Sequence, residues 1–387
     1  MRVSEKDQAY IANTYSRFPV ELVSGKGAHL VGSDGKEYID LGSGIAVNAF
    51  GVGDEVWKQA VVKQLDLLPH ASNLYYTGPM AELAEMLCAK TGMKKVFFGN
   101  SGAEANECAI KTARKWALDA YGEGRHTIIT LKNSFHGRTI ATISATGQDS
   151  FHTNFGPFTP GFVHAEPNDL ASVRALAEET PCAAVMLECV QGEGGVVALD
   201  ADFLKGVEAL CREKGMLLLV DEVQTGNGRC GALYAYMRYG LQPDVVSTAK
   251  GLGGGLPIGV CLLGERVKDT LTPGTHGSTF GGNPVSCAGA VSILARLDED
   301  LMEDVKKKSD FIVSELSGAE GVGSVTGLGL MLGVEPTKKS AKDVIAGCIA
   351  GGVLLLSAKN KVRLLPPLTI SWDDLQKGIE ILKEALK

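Results

Sequence analysis

The chain has 387 residues, 45% of them hydrophobic and 21% charged, with a formal net charge of −7. That length suits about two to three domains and a core that needs neither disulfides nor metals. The acidic balance, without a basic block, gives nucleic acid no electrostatic footing, and apolar runs of about five residues fall far short of the ~20 that span a bilayer. Nine cysteines are scattered without CxxC spacing, several of them in apolar runs, such as Cys189 and Cys261, as in a reduced protein. The first residues, MRVSEKDQAY, lack the apolar core of a signal peptide, so the expectation is a soluble, cytoplasmic chain.

In chain order, residues 95–99 (KVFFG), 126–131 (HTIITL), 183–188 (AAVMLE), 216–221 (MLLLVD) and 244–248 (DVVST) are predicted strands. Stretches 102–118 and 201–214 are predicted helices. Strands that are apolar throughout and alternate with helices predict a parallel sheet covered on both faces, wound by right-handed crossovers. Glycines gather at the strand ends in 192–195, 226–231, 251–255 and 277–282, beside charged residues. In open α/β sheets that edge is where ligands bind. After about residue 285 a helix-rich segment, 284–317, leads to shorter strands and an amphipathic helix from near Ser371. The predicted organisation is an N-terminal segment, 1–45, contributing to a small domain, a large domain over 46–284, and a C-terminal small domain over 285–387.

Five places carry candidate chemistry. A strand runs into Gly99–Ala103, where Ser101 and Glu104 have capping-box spacing before a helix of small residues. Such a start is either an anion site or simply a well-capped helix. In MLLLVDEVQTGNGRCG an apolar strand delivers Asp221 to the sheet edge, where a buried carboxylate needs a cationic partner. The GxGxxG match at 226–231 reads as a decoy, because four residues separate it from the strand and Asp244 precedes its own strand. Lys250 follows a buried strand and precedes a glycine-rich turn, which favours a Schiff-base amine over an ordinary surface lysine only if its charge has a use there. Arg138 and Arg363 are candidate carboxylate clamps, although most arginines are merely solvated. No HExxH, two-histidine cluster, GxxxxGK[ST] or GxSxG is present, so no metal is expected and His136 reads as structural.

Taken together and in order, NSGAEANE, FHGRT, QGEGG, DEVQTGxGRxG, AKGLGGGLPIG, HGSTFGGNP and RLLPPL resemble the class III, or ω-, aminotransferases, most closely their acetylornithine branch. The resemblance runs over nearly the whole chain. It implies the pyridoxal-phosphate-dependent transferase fold type I of aspartate aminotransferase: a mostly parallel, largely seven-stranded sheet in a large α/β domain, with a smaller α+β domain. It also implies transamination of N2-acetyl-L-ornithine with 2-oxoglutarate, as in arginine biosynthesis, by a homodimer with shared active sites.

Carried onto this sequence, the resemblance makes Lys250 the cofactor lysine and proton carrier, and Asp221 the partner of the pyridine nitrogen. Gln224 would contact the phenolic oxygen, Val223 and Phe135 would cover the two ring faces, and Ser101, Gly102 and Ala103 would hold the phosphate. Thr279 would reach the phosphate from the second subunit. Arg138 and Ser278 would contact acetylornithine, and Arg363 would take the α-carboxylate of the keto acid. Glu193 would neutralise Arg363 when the other substrate is bound, and Glu188 falls with the substrate-binding residues. The pattern is broken at Cys189, where the family reads proline, and at Asn227 and Cys230, where Met and Thr are commoner. Within the class, ornithine, succinylornithine, acetyl-lysine or 4-aminobutyrate are rival amine donors. Outside it stand a nicotinamide oxidoreductase and a non-catalytic regulatory homologue.

Overall fold

The computed structural model describes residues 2–387. Its centre is a sheet of seven strands: β1 (Lys95–Gly99), β2 (Thr127–Leu131), β3 (Phe162–Ala165), β4 (Cys182–Leu187), β5 (Leu217–Asp221), β6 (Val245–Thr248) and β7 (Gly259–Leu263). Their order across the sheet is β1-β7-β6-β5-β4-β2-β3. Every residue of β2, β4, β5, β6 and β7 is buried, so both faces are covered. Alternate residues of β5 divide between two apolar layers, Leu218 and Val220 on one face and Leu217 and Leu219 on the other.

The parallel sheet read from the sequence is present from β6 to β3, where all pairings are parallel. At the other edge β7 runs antiparallel to both β6 and β1. The cause is the short link: residues 249–258 separate β6 from β7, too few for the dozen or so that a parallel crossover requires. The glycine-rich turn simply reverses the chain. Two reversals leave β1 parallel to β6, so its carboxyl end opens at the same edge as those of β2, β4, β5 and β6.

The predicted helices form close to where periodicity puts them, as Gly102–Tyr121 (α1), Ala201–Glu213 and, after 284, Pro284–Leu294 and Glu299–Leu316. The last helix, Trp372–Leu386, is capped by Ser371, whose side chain accepts from Asp374 N–H at 3.1 Å. Strands Leu22–Lys26, His29–Gly32 and Glu37–Asp40 form a sheet with Val353–Leu354, which lies parallel to Glu37–Asp40. The N-terminal segment is thereby tied to the C-terminal one. A further antiparallel sheet, made from Val322–Leu328, Met331–Pro336, Leu356–Ala358 and Lys361–Leu364, carries Arg363. Among the described residues no helix is long and apolar enough to cross a membrane.

The glycines at 226–231 open no dinucleotide helix. A Cβ at Gly226 would lie 2.6 Å from the Glu222 carbonyl oxygen and 2.7 Å from the Tyr234 ring, and the next helix is only Ala235–Arg238. Close packing, rather than a pyrophosphate, requires glycine there. Glu222 organises this turn: its carboxyl accepts from the Tyr236 N–H at 2.7 Å and the Thr225 hydroxyl at 2.5 Å. Burial pushes that carboxyl from 4.5 up to about 7. The folded chain therefore holds a proton on Glu222 in that window while the unfolded chain does not. The stabilisation is complete below 4.5 and is lost as pH rises through about 7. Glu222→Gln should gain stability on wild type across that window, at up to about 1.4 kcal/mol per pH unit. Unfolding curves at several pH values check this, and parallel pH dependences in the two proteins would refute it.

Candidate active site

Because β1, β2, β4, β5 and β6 end at one edge, the loops that leave them converge. β5 ends at Asp221, which is 3% exposed. A buried carboxylate there must be supplied with donors. Asn106 Nδ2 donates to Asp221 Oδ2 at 2.7 Å, His136 Nδ1–H to the same oxygen at 2.8 Å, and Val223 N–H to Oδ1 at 3.0 Å. The ring nitrogen that donates is assigned from the carboxylate being an acceptor. Asn106 is itself fixed, donating to the His136 carbonyl at 2.8 Å and accepting from the Ser247 hydroxyl at 2.5 Å. A carboxylate has about four acceptor directions. Three are used here, so one stays free for a cation.

β6 leads to Lys250, whose backbone lies in the left-handed region at φ 47°. Burial pushes its ammonium below the usual lysine value; Arg363 pushes the same way, and the carboxylates of Glu193, Asp221 and Glu188 push back. Glu188, at the end of β4, is raised well above the carboxylate range, by burial first and by Asp221 second. Its Oε2 accepts from Phe135 N–H at 3.4 Å. Arg363 is 3% exposed and donates from Nη1 to Glu193 Oε1 at 2.6 Å and to Gln224 Oε1 at 3.1 Å. Its Nε has no partner among the described residues. Gln224 thus faces Arg363, and Gly192 must be glycine because a Cβ would sit 2.7 Å from the Gln224 amide.

α1 opens at this edge behind Ser101, whose Oγ accepts from Glu104 N–H at 3.2 Å. Glu104 reaches back to Asn100 N–H at 2.6 Å, one residue earlier than a capping box would place it. The first-turn N–H groups of Gly102 and Ala103 point out of the helix start. Gly102 lies against Val223, where a Cβ would be 2.6 Å from a methyl carbon. Val223 is thus held beside both Asp221 and the helix start.

The remaining predicted residues lie further out. Arg138 is exposed, its guanidinium carbon 4.3 Å from the centroid of the Phe151 ring and 5.6 Å from that of Phe135. Ser278 Oγ accepts from Asn100 Nδ2 at 3.2 Å and from Gly281 N–H at 2.9 Å. Thr279 is exposed and Phe280 beside it is 60% exposed. Sequence reasoning missed Asn106, Ser247 and Phe151, and took His136 for a structural residue. Asn106 sits in a quoted motif, on the helix face turned to the sheet, and its polarity among small residues was the available signal.

The donor set fits pyridoxal phosphate: an amine with a lowered pKa, a buried carboxylate with a free acceptor direction, and a helix start with unpaired N–H groups. Lys250, Asp221 and the turn at Ser101–Ala103 are the residues that would hold it.

Comparison with known proteins agrees. The family model "Aminotransferase class-III" matches residues 10–386. An acetylornithine aminotransferase of Haemophilus ducreyi is 48% identical, the match covering 100% of this chain and 98% of that one. The crystal structure of an ornithine aminotransferase from Toxoplasma gondii superposes with a TM-score of 0.95 at 31% identity, over 99% of this chain and 94% of that one. That of an N-acetylornithine aminotransferase from Stenotrophomonas maltophilia gives 0.85 at 34% identity, over 98% and 97%. The chain belongs to the class III aminotransferases, which work with pyridoxal phosphate.

Proposed function

We propose that the chain exchanges the terminal amine of N2-acetyl-L-ornithine for the keto oxygen of 2-oxoglutarate, giving N-acetyl-L-glutamate 5-semialdehyde and L-glutamate, a step of arginine biosynthesis. One observation carries the reading, the contrast between two arginines. Arg363 is buried and paired with Glu193, whereas Arg138 is exposed over Phe151. One substrate has its reacting amine far from its α-carboxylate, and the other has the two groups adjacent. A single clamp cannot serve both geometries. Arg363 serves the keto acid once Glu193 swings away, and Arg138 serves the longer amine donor while Glu193 keeps Arg363 neutral.

Pyridoxal phosphate, when bound, supplies the electron sink for the substrate C–H bond. Lys250 Nζ would carry the cofactor and act as the base for the substrate proton, and burial lowers its pKa, which suits that task. Asp221, oriented by the hydrogen bonds of Asn106, His136 and Val223, would pair with the ring nitrogen. Ser101, Gly102 and Ala103 would hold the phosphate, Phe135 and Val223 would cover the ring, and Gln224, already bonded to Arg363, would contact the phenolic oxygen.

A second reading, ornithine as donor, draws on the ornithine aminotransferase superposition. The positive charge of Arg138, held over Phe151, favours the acylated donor, because a neutral amide avoids the like-charge repulsion that a second ammonium would meet there. A panel of amine donors with 2-oxoglutarate as acceptor decides between them. Acetylornithine should lead, and a higher kcat/KM for ornithine would reverse the assignment.

The active unit is a homodimer with shared sites. Leu74, Tyr75, Tyr76 and Phe280 form an exposed apolar region beside Thr279, the kind of surface that partners cover. Asn73 Nδ2 ties the two segments together, donating to the carbonyls of Ser278 at 3.0 Å and Gly281 at 2.8 Å.

Three outcomes test this scheme. Borohydride reduction of the holoenzyme should leave the cofactor adduct on Lys250, and an adduct on another lysine would sink the assignment. Arg363→Ala should slow the 2-oxoglutarate half-reaction by about 10- to 1,000-fold at 1.4 kcal/mol per decade, since a charge-assisted hydrogen bond contributes about 1.5–3 kcal/mol and truncating one partner of a desolvated pair can cost about 3–5 kcal/mol. The acetylornithine half-reaction should change far less, and Arg138→Ala should show the reverse asymmetry. Equal losses in both halves would make Arg363 structural. Finally, inactive Lys250→Ala and inactive Thr279→Ala chains should recover activity when their subunits exchange. No recovery despite demonstrated exchange would refute the shared site.

A further inference from the structure

Asn227 departs from the family pattern, and its surroundings give it a task. It is 2% exposed and lies in the left-handed region at φ 57°, a conformation asparagine tolerates better than most residues. Its Nδ2 donates to Thr248 Oγ1 at 3.0 Å and to the Ala249 carbonyl at 3.1 Å. Thr248 ends β6 and Ala249 immediately precedes Lys250. The Ala249 carbonyl also accepts from Leu252 N–H at 3.1 Å, so both of its lone pairs are engaged. Beyond the lysine, a Cβ placed on Gly251 would come within 3.3 Å of Asn227 Cβ. Asn227 therefore touches the chain on both sides of Lys250.

The lysine needs such a clamp. Its φ of 47° is unfavourable for a residue whose side chain offers the local backbone no hydrogen bond. Strain of that kind persists only where the surroundings over-determine the conformation. The main chain supplies two constraints, Leu252 N–H to the Ala249 carbonyl at 3.1 Å and Gly253 N–H to the Lys250 carbonyl at 2.9 Å. Asn227 supplies two more through its amide hydrogens, while its Oδ1 stays unpartnered and buried. Only the donor half of the amide is used.

We infer that Asn227 is a positioning residue for Lys250: its two hydrogen bonds hold the end of β6 so that the lysine leaves the strand aimed into the site. The inference rests on the reading that Lys250 carries the cofactor. Asn227 acts through Lys250 and touches neither substrate nor cofactor. Loosening it changes how well Lys250 is aligned for proton transfer, in both half-reactions alike, and leaves the carboxylate clamps as they were.

Two variants test this. Asn227→Asp keeps the shape but sets carboxylate oxygens against the Ala249 carbonyl, and Asn227→Gly keeps the left-handed turn with no donor at all. Both should lower the single-turnover rates of the two half-reactions by about tenfold. Both should leave substrate saturation within about twofold and move the pH midpoint of the holoenzyme's visible absorption by about half a unit or more. If Asn227→Asp fails to fold, Asn227→Gly carries the measurement. An Asn227→Gly protein that keeps wild-type rates and spectral midpoint, or loses only thermal stability, overturns the proposal while the Lys250 reading stands. Mapping the borohydride adduct in the same samples separates the two failures, because an adduct away from Lys250 overturns the cofactor assignment itself and the positioning role with it.

Discussion

A carboxylate enclosed at the end of an apolar strand is the constraint around which this molecule is arranged. Ionised and unsatisfied, Asp221 would be prohibitively costly to bury. Its donors come from three separate segments: Asn106 from α1, His136 from the loop after β2, and Val223 from the turn after β5. Ser247 of β6 adds a fourth by bonding to Asn106. Satisfying one carboxylate thus locks a helix, two strand ends and a loop into a single geometry. Removing any donor would loosen both the sheet edge and the helix start.

The charges around Lys250 balance in a way that leaves room for one particular guest. Burial lowers the lysine and raises Glu188, so both shift toward their neutral forms. Arg363 and Glu193 cancel each other at 2.6 Å. What is left uncompensated is the negative charge of Asp221. On the proposed scheme a cationic ring nitrogen would answer that charge. On the proposed scheme a substrate carboxylate would compete with Glu193 for the Arg363 guanidinium, whose Nε is buried and has no partner among the described residues. The same pair can therefore serve as a lock for one substrate and a released clamp for the other.

Much of this was legible in the sequence because it depends on local signals. Continuous apolar runs identified β1, β2, β4, β5 and β6, since strands buried on both faces have no polar side to show. Asp221 and Lys250 stood out as charged residues at the ends of such runs. The direction of β7 was not legible from apolarity, because IGVCLLG has the same texture either way. The short link from 249 to 258 held that information. The partner of His136 was hidden for a related reason. Spacing rules find metal clusters and nucleophiles, but a histidine that meets its carboxylate across 85 positions leaves no local trace. Asn106 and Ser247 likewise acquire their meaning only when α1 is laid across the sheet. Glu104 had the right spacing for a capping box, but the structure moves its bond one residue upstream, to Asn100.

The three breaks in the family pattern share a location that argues about their purpose. Cys189 and Cys230 are fully buried in the core layer that also holds Val220. Burial raises the pKa of each thiol, and the carboxylate of Glu222, in the turn after β5, adds to both shifts. Asn227 sits in the same turn, between Glu222 and the backbone that precedes Lys250. None of the three replaces a residue that contacts cofactor or substrate in the proposed scheme. Changes confined to such a supporting layer alter how rigidly the reacting groups are held without altering which groups they are. On the proposed scheme, in which both half-reactions share one lysine, the stiffness of that layer would act on both at once, whereas the arginines would act on each separately.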